Sequence, residues 1–215
     1  MSIAEKLNIA NDKVPKVYDA GKSLKEITDF SYFFYNSVRL ELIDYVDTSN
    51  STNFASMFSS CNNLRNIPSL NTSKGDNFGF MFQYCVSLTA IPPIDTSNGT
   101  GFTHMFYNCS KLKTISLIDV SGAVNLVNFV SKCTSLENIS FVGSINVSIS
   151  FSNSSKLTVE SIQSIINALS VYSGTSQPTL TLNSASWTAI EAVTPPDGYS
   201  TWKEYITNYK NWKYA

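Results

Sequence analysis

The chain has 215 residues, of which 43% are hydrophobic, 13% aromatic and only 14% charged, and its net charge is −1. A chain of this length buries a sizeable core without needing a disulfide or a metal. The missing charge excludes an electrostatic nucleic-acid binder and a polybasic membrane anchor, and the aromatic content excludes a disordered coil. We therefore expect neither nucleic acid nor membrane among the partners.

The first 28 residues are predicted to form a charged helical leader. Ten charged residues lie in the first 29, against nine in 53–148. The apolar residues follow a four-three spacing that is typical of a coiled-coil seam between chains: Ile3, Leu7, Ala10, Val14 and Val17. The alternative is an amphipathic helix that caps the next segment, and Pro15 would interrupt or restart either helix. We expect this leader to serve for attachment, with homo-oligomer formation through the seam left open.

The start of the chain carries no secretory signal that we can identify, since residues 1–6 open a polar stretch without an apolar centre. No apolar run reaches the roughly 18 residues of a membrane-spanning helix. We expect a protein that stays in the cytosol or is built into a particle assembled there.

Four cysteines reveal an internal repeat. Cys61, Cys85, Cys109 and Cys133 are each 24 residues apart. A leucine lies three residues after each cysteine and an isoleucine lies six residues after it. Met or Phe lies four residues before each cysteine. The same phase extends upstream, so that five units occupy 29–52, 53–76, 77–100, 101–124 and 125–148.

A period of this length predicts an α/β solenoid of leucine-rich-repeat type, in which stacked coils bury a shared core. The L-x-x-I segment predicts short parallel strands, and F-x-x-M-F-x-x-C predicts a turn of α- or 3₁₀-helix because its apolar residues are three and four apart. The polar D-T-S tripeptide predicts a turn. The full prediction is 24-residue coils with an N-terminal helical leader and a C-terminal helical cap.

The cysteines are interpreted as buried free thiols, since they share the register of inward Leu and Ile. A disulfide between neighbouring coils is the alternative. Zinc-binding cysteines are usually separated by about two to four residues along the chain, and an interval of 24 residues does not fit that spacing. We expect no metal and no cofactor.

The repeated unit resembles the BspA-like leucine-rich repeats, especially their mycoplasma-lipoprotein-type variant, over residues 29–148. Ser37 replaces the cysteine in the first unit, and Phe129-Val130 replaces Met-Phe in the fifth. The flanks, at 3–7, 14–22 and 155–213, resemble segments of phage and prophage virion proteins of Gram-positive bacteria. This resemblance implies a repeat domain that is displayed on a virion.

Residues 149–215 are predicted to be a capping module. The pattern predicts a helix over 158–169, a strand over 179–182 and a second helix over 200–211. The last helix carries an aromatic row at helical spacing, made of Trp202, Tyr205, Tyr209 and Trp212. We interpret this row as a lid on the stack, and a platform for sugar stacking is the alternative.

No catalytic machinery stands out, and we predict that the protein is not an enzyme. His104 is the only histidine, and its slot holds other residue types in the remaining units. The chain contains no nucleophile elbow, phosphate loop or zinc-protease motif. The solenoid is also poor in the paired carboxylates that glycoside hydrolysis needs.

Binding is expected instead on an outward strand face, because residues that flank the inward isoleucines vary while the frame stays fixed. These residues are Asn66, Pro68, Ala90, Pro92, Thr114, Ser116, Asn138 and Ser140. A merely solvated surface is the alternative interpretation. The expected function is a non-enzymatic phage virion component, in a tail fibre, baseplate or decoration, that binds a host-surface glycan, a host protein or another virion protein. The alternative is an interaction module of the bacterial surface or cytoplasm.

Overall fold

A computed structural model of the chain describes residues 27–215 and the backbone of Val17–Asp19. The strands are β1 (Val17–Asp19), β2 (Leu42–Tyr45), β3 (Thr114–Asp119), β4 (Asn138–Val142), β5 (Ile149–Phe151), β6 (Thr179–Leu182) and β7 (Lys213–Tyr214). The helices are α1 (Val159–Ala168), α2 (Ser184–Glu191) and α3 (Trp202–Glu204), which continues into a π-helical turn at Tyr205–Tyr209.

The predicted α/β solenoid is wrong. Residues 29–148 contain no helix, and each F-x-x-M-F-x-x-C segment is a run of consecutive turns. The strands form three small, separate parallel sheets, in the orders β1–β2, β3–β4 and β5–β6–β7. The five units are therefore mostly irregular chain joined by short bridges, and the described helices all follow residue 158.

Two left-handed residues in each unit explain why the helical prediction fails. The fourth and eighth residues of the units have φ between 54° and 63°, and none is glycine: Tyr32, Asn36, Ser56, Ser60, Phe80, Tyr84, His104, Asn108, Asn128 and Lys132. A helical turn needs negative φ throughout. In the first four units the N–H groups of these residues instead donate to the next unit, as in Phe80 N to Thr103 O at 2.9 Å and His104 N to Val127 O at 2.9 Å.

Neighbouring units lie side by side in parallel register. The first residues of successive units form bridges that join Asn53 to Asn77, Asn77 to Gly101 and Gly101 to Asn125. A second line of contacts joins Ala90 to Thr114 and then Thr114 to Asn138. Backbone groups are thus satisfied between units, which makes each unit depend on its neighbours.

The core of the repeats is built from columns of identical side chains. Phe34, Phe58, Phe82 and Phe106 are buried and stack nearly parallel, with ring centroids 5.5, 5.4 and 5.5 Å apart. The column ends at the fifth unit, where Phe129 meets Phe106 edge-on at 5.4 Å. Such packing at crystal-like density makes the columns sensitive to any change of volume.

The cysteine prediction is confirmed, because all four thiols are free and buried. Each Sγ donates to the phenylalanine carbonyl of the preceding unit, for example Cys109 to Phe82 O at 3.0 Å and Cys85 to Phe58 O at 3.1 Å. The inter-coil disulfide is therefore wrong. Burial raises the pKa of Cys61 and Cys133 from 9.0 to about 12 and that of Cys85 and Cys109 well above 9.0.

The leader is only partly within the described residues. Val17 was expected in a helix, but it lies in β1, where Val17 pairs with Leu42 and Tyr18 pairs with Ile43 of β2. The strand pairing thus continues upstream of the first predicted unit. The other seam residues, Ile3, Leu7, Ala10 and Val14, lie outside the described residues, and the oligomer seam stays a prediction.

The capping module follows its predicted elements closely at two places. Thr158 caps α1, since its Oγ1 accepts from Ser161 N at 3.3 Å. Strand β6 has the predicted bounds, with Leu180 and Leu182 buried. The helix predicted over 200–211 is shorter than expected, because α3 passes into the π-helical turn.

Candidate functional site

The eight residues of the predicted strand face lie on the surface. Asn66, Ala90 and Asn138 are exposed, and the other five are half-buried: Pro68, Pro92, Thr114, Ser116 and Ser140. The isoleucines between them point into the core, as the alternation requires. Direct pairing joins Ala90, Thr114 and Asn138, whereas no bridge joins Asn66 to Ala90 in the described part of the chain.

The strand face ends at the fifth unit. Asn138 Oδ1 accepts from Thr158 Oγ1 at 3.3 Å, and Ile139 N donates to Ser161 Oγ at 3.0 Å. The first turn of α1 therefore covers the edge that a sixth unit would occupy, so the face has a closed end.

The strand face contains a β-bulge in β3 that the sequence did not predict. Ser116 and Leu117 lie between the paired residues Ile115 and Ile118, whereas β4 has one residue at the corresponding place. Leu117 takes φ of 43° and leaves its side chain 60% exposed. A bulky residue at positive φ is strained, and the unit's sequence spacing, which matches that of other units, gave no signal of it.

A cleft of about 530 Å³ lies between the fifth unit and the capping module. The fifth unit contributes Asn125, Val127 and Asn128 to its lining, and the module contributes Tyr172, Gln177 and Thr181. Segments some fifty residues apart in sequence meet here, which is why sequence reasoning missed the cleft. No lining residue carries a formal charge at neutral pH.

Strand alternation directs hydroxyl groups to the cleft. Ser150 of β5 pairs in register with Thr181 of β6, and both lie in the cleft wall. Their neighbours Ile149, Phe151 and Leu180 are buried in the core. The outer face of this small sheet is thereby a polar wall on an apolar support.

Hydrogen bonds hold several of the lining side chains in place. Asn125 Oδ1 accepts from Thr103 Oγ1 at 2.8 Å and from Val127 N at 3.3 Å. Asn146 Nδ2 donates to Ser121 O at 3.1 Å, and Ser148 Oγ accepts from Thr179 N at 2.9 Å. The cleft therefore has its polar groups arranged before any ligand arrives.

A partly exposed aromatic strip adjoins the cleft, made of Phe80, Tyr84, His104 and Tyr107. The rings of Phe80 and His104 stack at 5.0 Å, and Tyr107 contacts both His104 and Tyr84, at 5.3 and 5.5 Å. Asn128 joins the strip to the cleft, because its Nδ2 lies 3.0 Å from His104 Nε2 and it also lines the cleft.

The His104 ring lies partly buried in the aromatic strip. Its Nδ1 is buried and has no hydrogen-bond partner among the described residues. Desolvation by burial lowers the pKa of His104 below its ordinary value of 6.5. The same desolvation favours the uncharged ring.

Two members of the aromatic row of the capping module are buried tryptophans, while Tyr205 is half-buried and Tyr209 is exposed, and the role of the row as a lid stays a prediction. Trp202 and Trp212 are 4% and 1% exposed. Their Nε1 groups donate to Val193 O at 2.9 Å and to Ser170 O at 3.0 Å. Buried rings offer no face for sugar stacking, so the platform interpretation is wrong for this pair.

The described residues contain neither a cluster of metal ligands nor a membrane-spanning helix. Within 27–215, no group of three or more His, Cys, Asp or Glu side chains is arranged to hold a metal ion. None of the helices found there is both long enough and apolar enough to cross a membrane.

Comparison with known proteins gives one match. No curated protein and no solved structure matches the chain. Residues 20–116, just under half of the 215, match the family model described as "Mycoplasma protein of unknown function, DUF285". Over these residues the chain is similar to the BspA-like, mycoplasma-type repeat family.

Proposed function

We propose that this protein is a non-enzymatic binding and structural protein that presents an uncharged surface to a host glycan, a host protein or a virion protein. One observation carries the proposal. The outward residues of the strand face differ from unit to unit, with Asn66, Ala90, Thr114 and Asn138 in equivalent places, while the buried residues beneath them stay constant. A scaffold that fixes its core and varies one face is arranged for recognition.

The chemistry of this face suits a neutral partner. Amide, hydroxyl and proline groups supply hydrogen bonds and apolar contact without attracting ions. Association with such a surface gains little from electrostatic steering, so affinity depends on fit and on hydrogen bonding. The match to a repeat family supports the repeats and does not bear on the partner.

The finer form of the proposal is a phage virion component, in a tail fibre, baseplate or decoration, assembled in the host cytoplasm. Its support is the resemblance of residues 3–7, 14–22 and 155–213 to segments of virion proteins. A second candidate is an interaction module of the bacterial surface or cytoplasm. The family description favours this second candidate, because it names a mycoplasma protein rather than a phage protein.

Two measurements test the proposal. Mass spectrometry of purified virions separates the candidates: we expect peptides of this chain there, and their absence from virions made in cells that express it would overturn the virion form. Binding to host cells then tests the face. A Thr114→Lys/Asn138→Lys variant should lose binding, whereas the matched surface variant Ser184→Lys/Thr188→Lys on α2 should keep it.

A further inference from the structure

We infer that the cleft between the fifth unit and the capping module is a binding site for an uncharged carbohydrate. This inference rests on the proposed binding function and assigns it a second location and a ligand class. None of the eight residues of the strand face lines the cleft. The two surfaces can therefore be tested separately.

The size and shape of the cleft fit a small ligand. Its volume of about 530 Å³ falls in the range of roughly 300–1,000 Å³ found for ligand pockets. Two different parts of the chain form its walls, as is common for ligand sites at junctions. The opposing walls are Asn125–Asn128 on one side and Thr179 and Thr181 on the other.

The lining combines the two kinds of contact that a sugar ring needs. Amides and hydroxyls, including Asn128, Asn146, Gln177 and Thr181, match the hydroxyl groups on the rim of a sugar. Val127, Val147, Pro178 and the ring of Tyr172 offer apolar surface for its C–H faces. This mixture of polar and apolar groups distinguishes the cleft from a purely hydrophobic pocket.

Two amides that line the cleft, those of Asn146 and Gln177, are held by hydrogen bonds. Asn146 Nδ2 is held by Ser121 O, while its Oδ1 makes no hydrogen bond with the described residues. Gln177 Nε2 donates to Asn211 Oδ1, and Asn211 Nδ2 donates in turn to Tyr172 O at 2.9 Å. These bonds set the orientation of the amides, which lowers the entropy cost of binding a ligand.

Other ligand classes fit less well. Phosphate, nucleic acid and acidic sugars need cationic partners, and no Lys, Arg or His lines the cleft. A lipid or an apolar helix would leave the amides unpaired at a cost of about 1–3 kcal/mol each.

The test measures binding of short neutral oligosaccharides, hexose and N-acetylhexosamine oligomers, to the full chain by glycan array and then by calorimetry. A sialylated and phosphorylated panel serves as the charged comparison. We expect the wild type to bind a neutral oligomer and to ignore the charged panel. Thr181→Val keeps the shape and the strand, and should weaken binding about five- to tenfold by removing one hydroxyl.

Asn146→Leu should reduce the affinity further, and thermal unfolding checks that each variant remains folded. Asn66→Leu makes the same change on the strand face and should leave the affinity unchanged. The inference is overturned if the neutral panel does not bind, or if Thr181→Val binds as the wild type does. Failure of the neutral panel to bind, together with host-cell binding that is lost in Thr114→Lys/Asn138→Lys, would overturn this inference alone and leave the proposed function standing.

Discussion

The five units and the capping module differ in how their backbone N–H and C=O groups find hydrogen-bond partners. In 29–148, N–H groups reach across to the next unit, as in Phe82 N to Met105 O at 2.9 Å. In the capping module, helices α1 and α2 satisfy theirs within a few residues and are closed by Thr158 and Asn183 at their starts. The units are therefore stable only together. The helices of the module form their hydrogen bonds locally, but at 10 and 8 residues they still depend on packing for their stability.

The largest effect on the stability of the units should come from removing one phenylalanine ring from the middle of a column. Phe82→Ala should lower the free energy of unfolding by about 3–5 kcal/mol, because the cavity opens against both Phe58 and Phe106. Phe80→Ala is the matched control, two residues away and 37% exposed. Urea unfolding followed by circular dichroism measures both. Equal effects for the two variants would contradict the column's role.

The second prediction concerns the stability of the five units at alkaline pH, because the described cysteines all lie in these units and none lies in the capping module. Their pKa values are raised by burial, to about 12 for Cys61, so the unfolded chain loses its thiol protons from about pH 9 while the folded chain keeps them. The unfolding free energy should therefore fall as pH rises from about 9 towards 12. Denaturant melts across this range check it. A Cys109→Ala variant should show a shallower decline than the wild type, and an identical slope would count against the buried-thiol account.

A buried lysine offers a test within the capping module. Lys210 Nζ donates to Leu169 O at 2.6 Å and to Asn167 O at 3.2 Å, and so caps the C-terminal end of α1. Lys210→Met should cost about 1–3 kcal/mol through the lost charge-assisted bonds. Desolvation, which lowers the pKa of Lys210, offsets part of that loss. Lys213→Met, at an exposed position, should have little effect in the same thermal melts.

The smallest effect should come from the helix cap itself. Thr158→Ala removes the acceptor of Ser161 N and should cost about 1 kcal/mol. Thr188→Ala, inside α2, removes only a bond to Ser184 O and should cost less than about 0.5 kcal/mol. Chemical denaturation of the pair decides the matter, and a larger loss at Thr188 would show that capping is not what Thr158 provides.

Much of the packing could be predicted from sequence, because it depends on residue type. The 24-residue period identified the buried phenylalanine and cysteine columns, and apolar spacing located α1 and β6. The fold class failed for a physical reason. Apolar residues three and four apart fit both a helix and consecutive turns, and the distinction is the sign of φ. The left-handed slots hold Phe80, Tyr84 and His104 rather than glycine, so no residue type announced them.

The candidate sites divide in the same way. The strand face follows from alternation along a single segment, so its eight residues could be named from the sequence, although their role stays a prediction. The cleft depends on how the module folds back against Asn125–Asn128, and nothing local in either segment encodes that meeting. The leader's role likewise stays a prediction.

Hydrogen bonding between units runs in both directions along the array. The turn segments donate N–H groups forward, as in Tyr84 N to Tyr107 O and then Asn108 N to Ser131 O, whereas the segments after the cysteines donate backward, as in Lys113 N to Thr89 O. At the last unit the module supplies a substitute acceptor, Asn153 Oδ1, for Lys132 N. We therefore expect that an interior unit can be duplicated or deleted while the remaining units keep bonds of this kind. The strand face would become longer or shorter by one unit. The cleft would remain unchanged, because it lies between the last unit and the capping module.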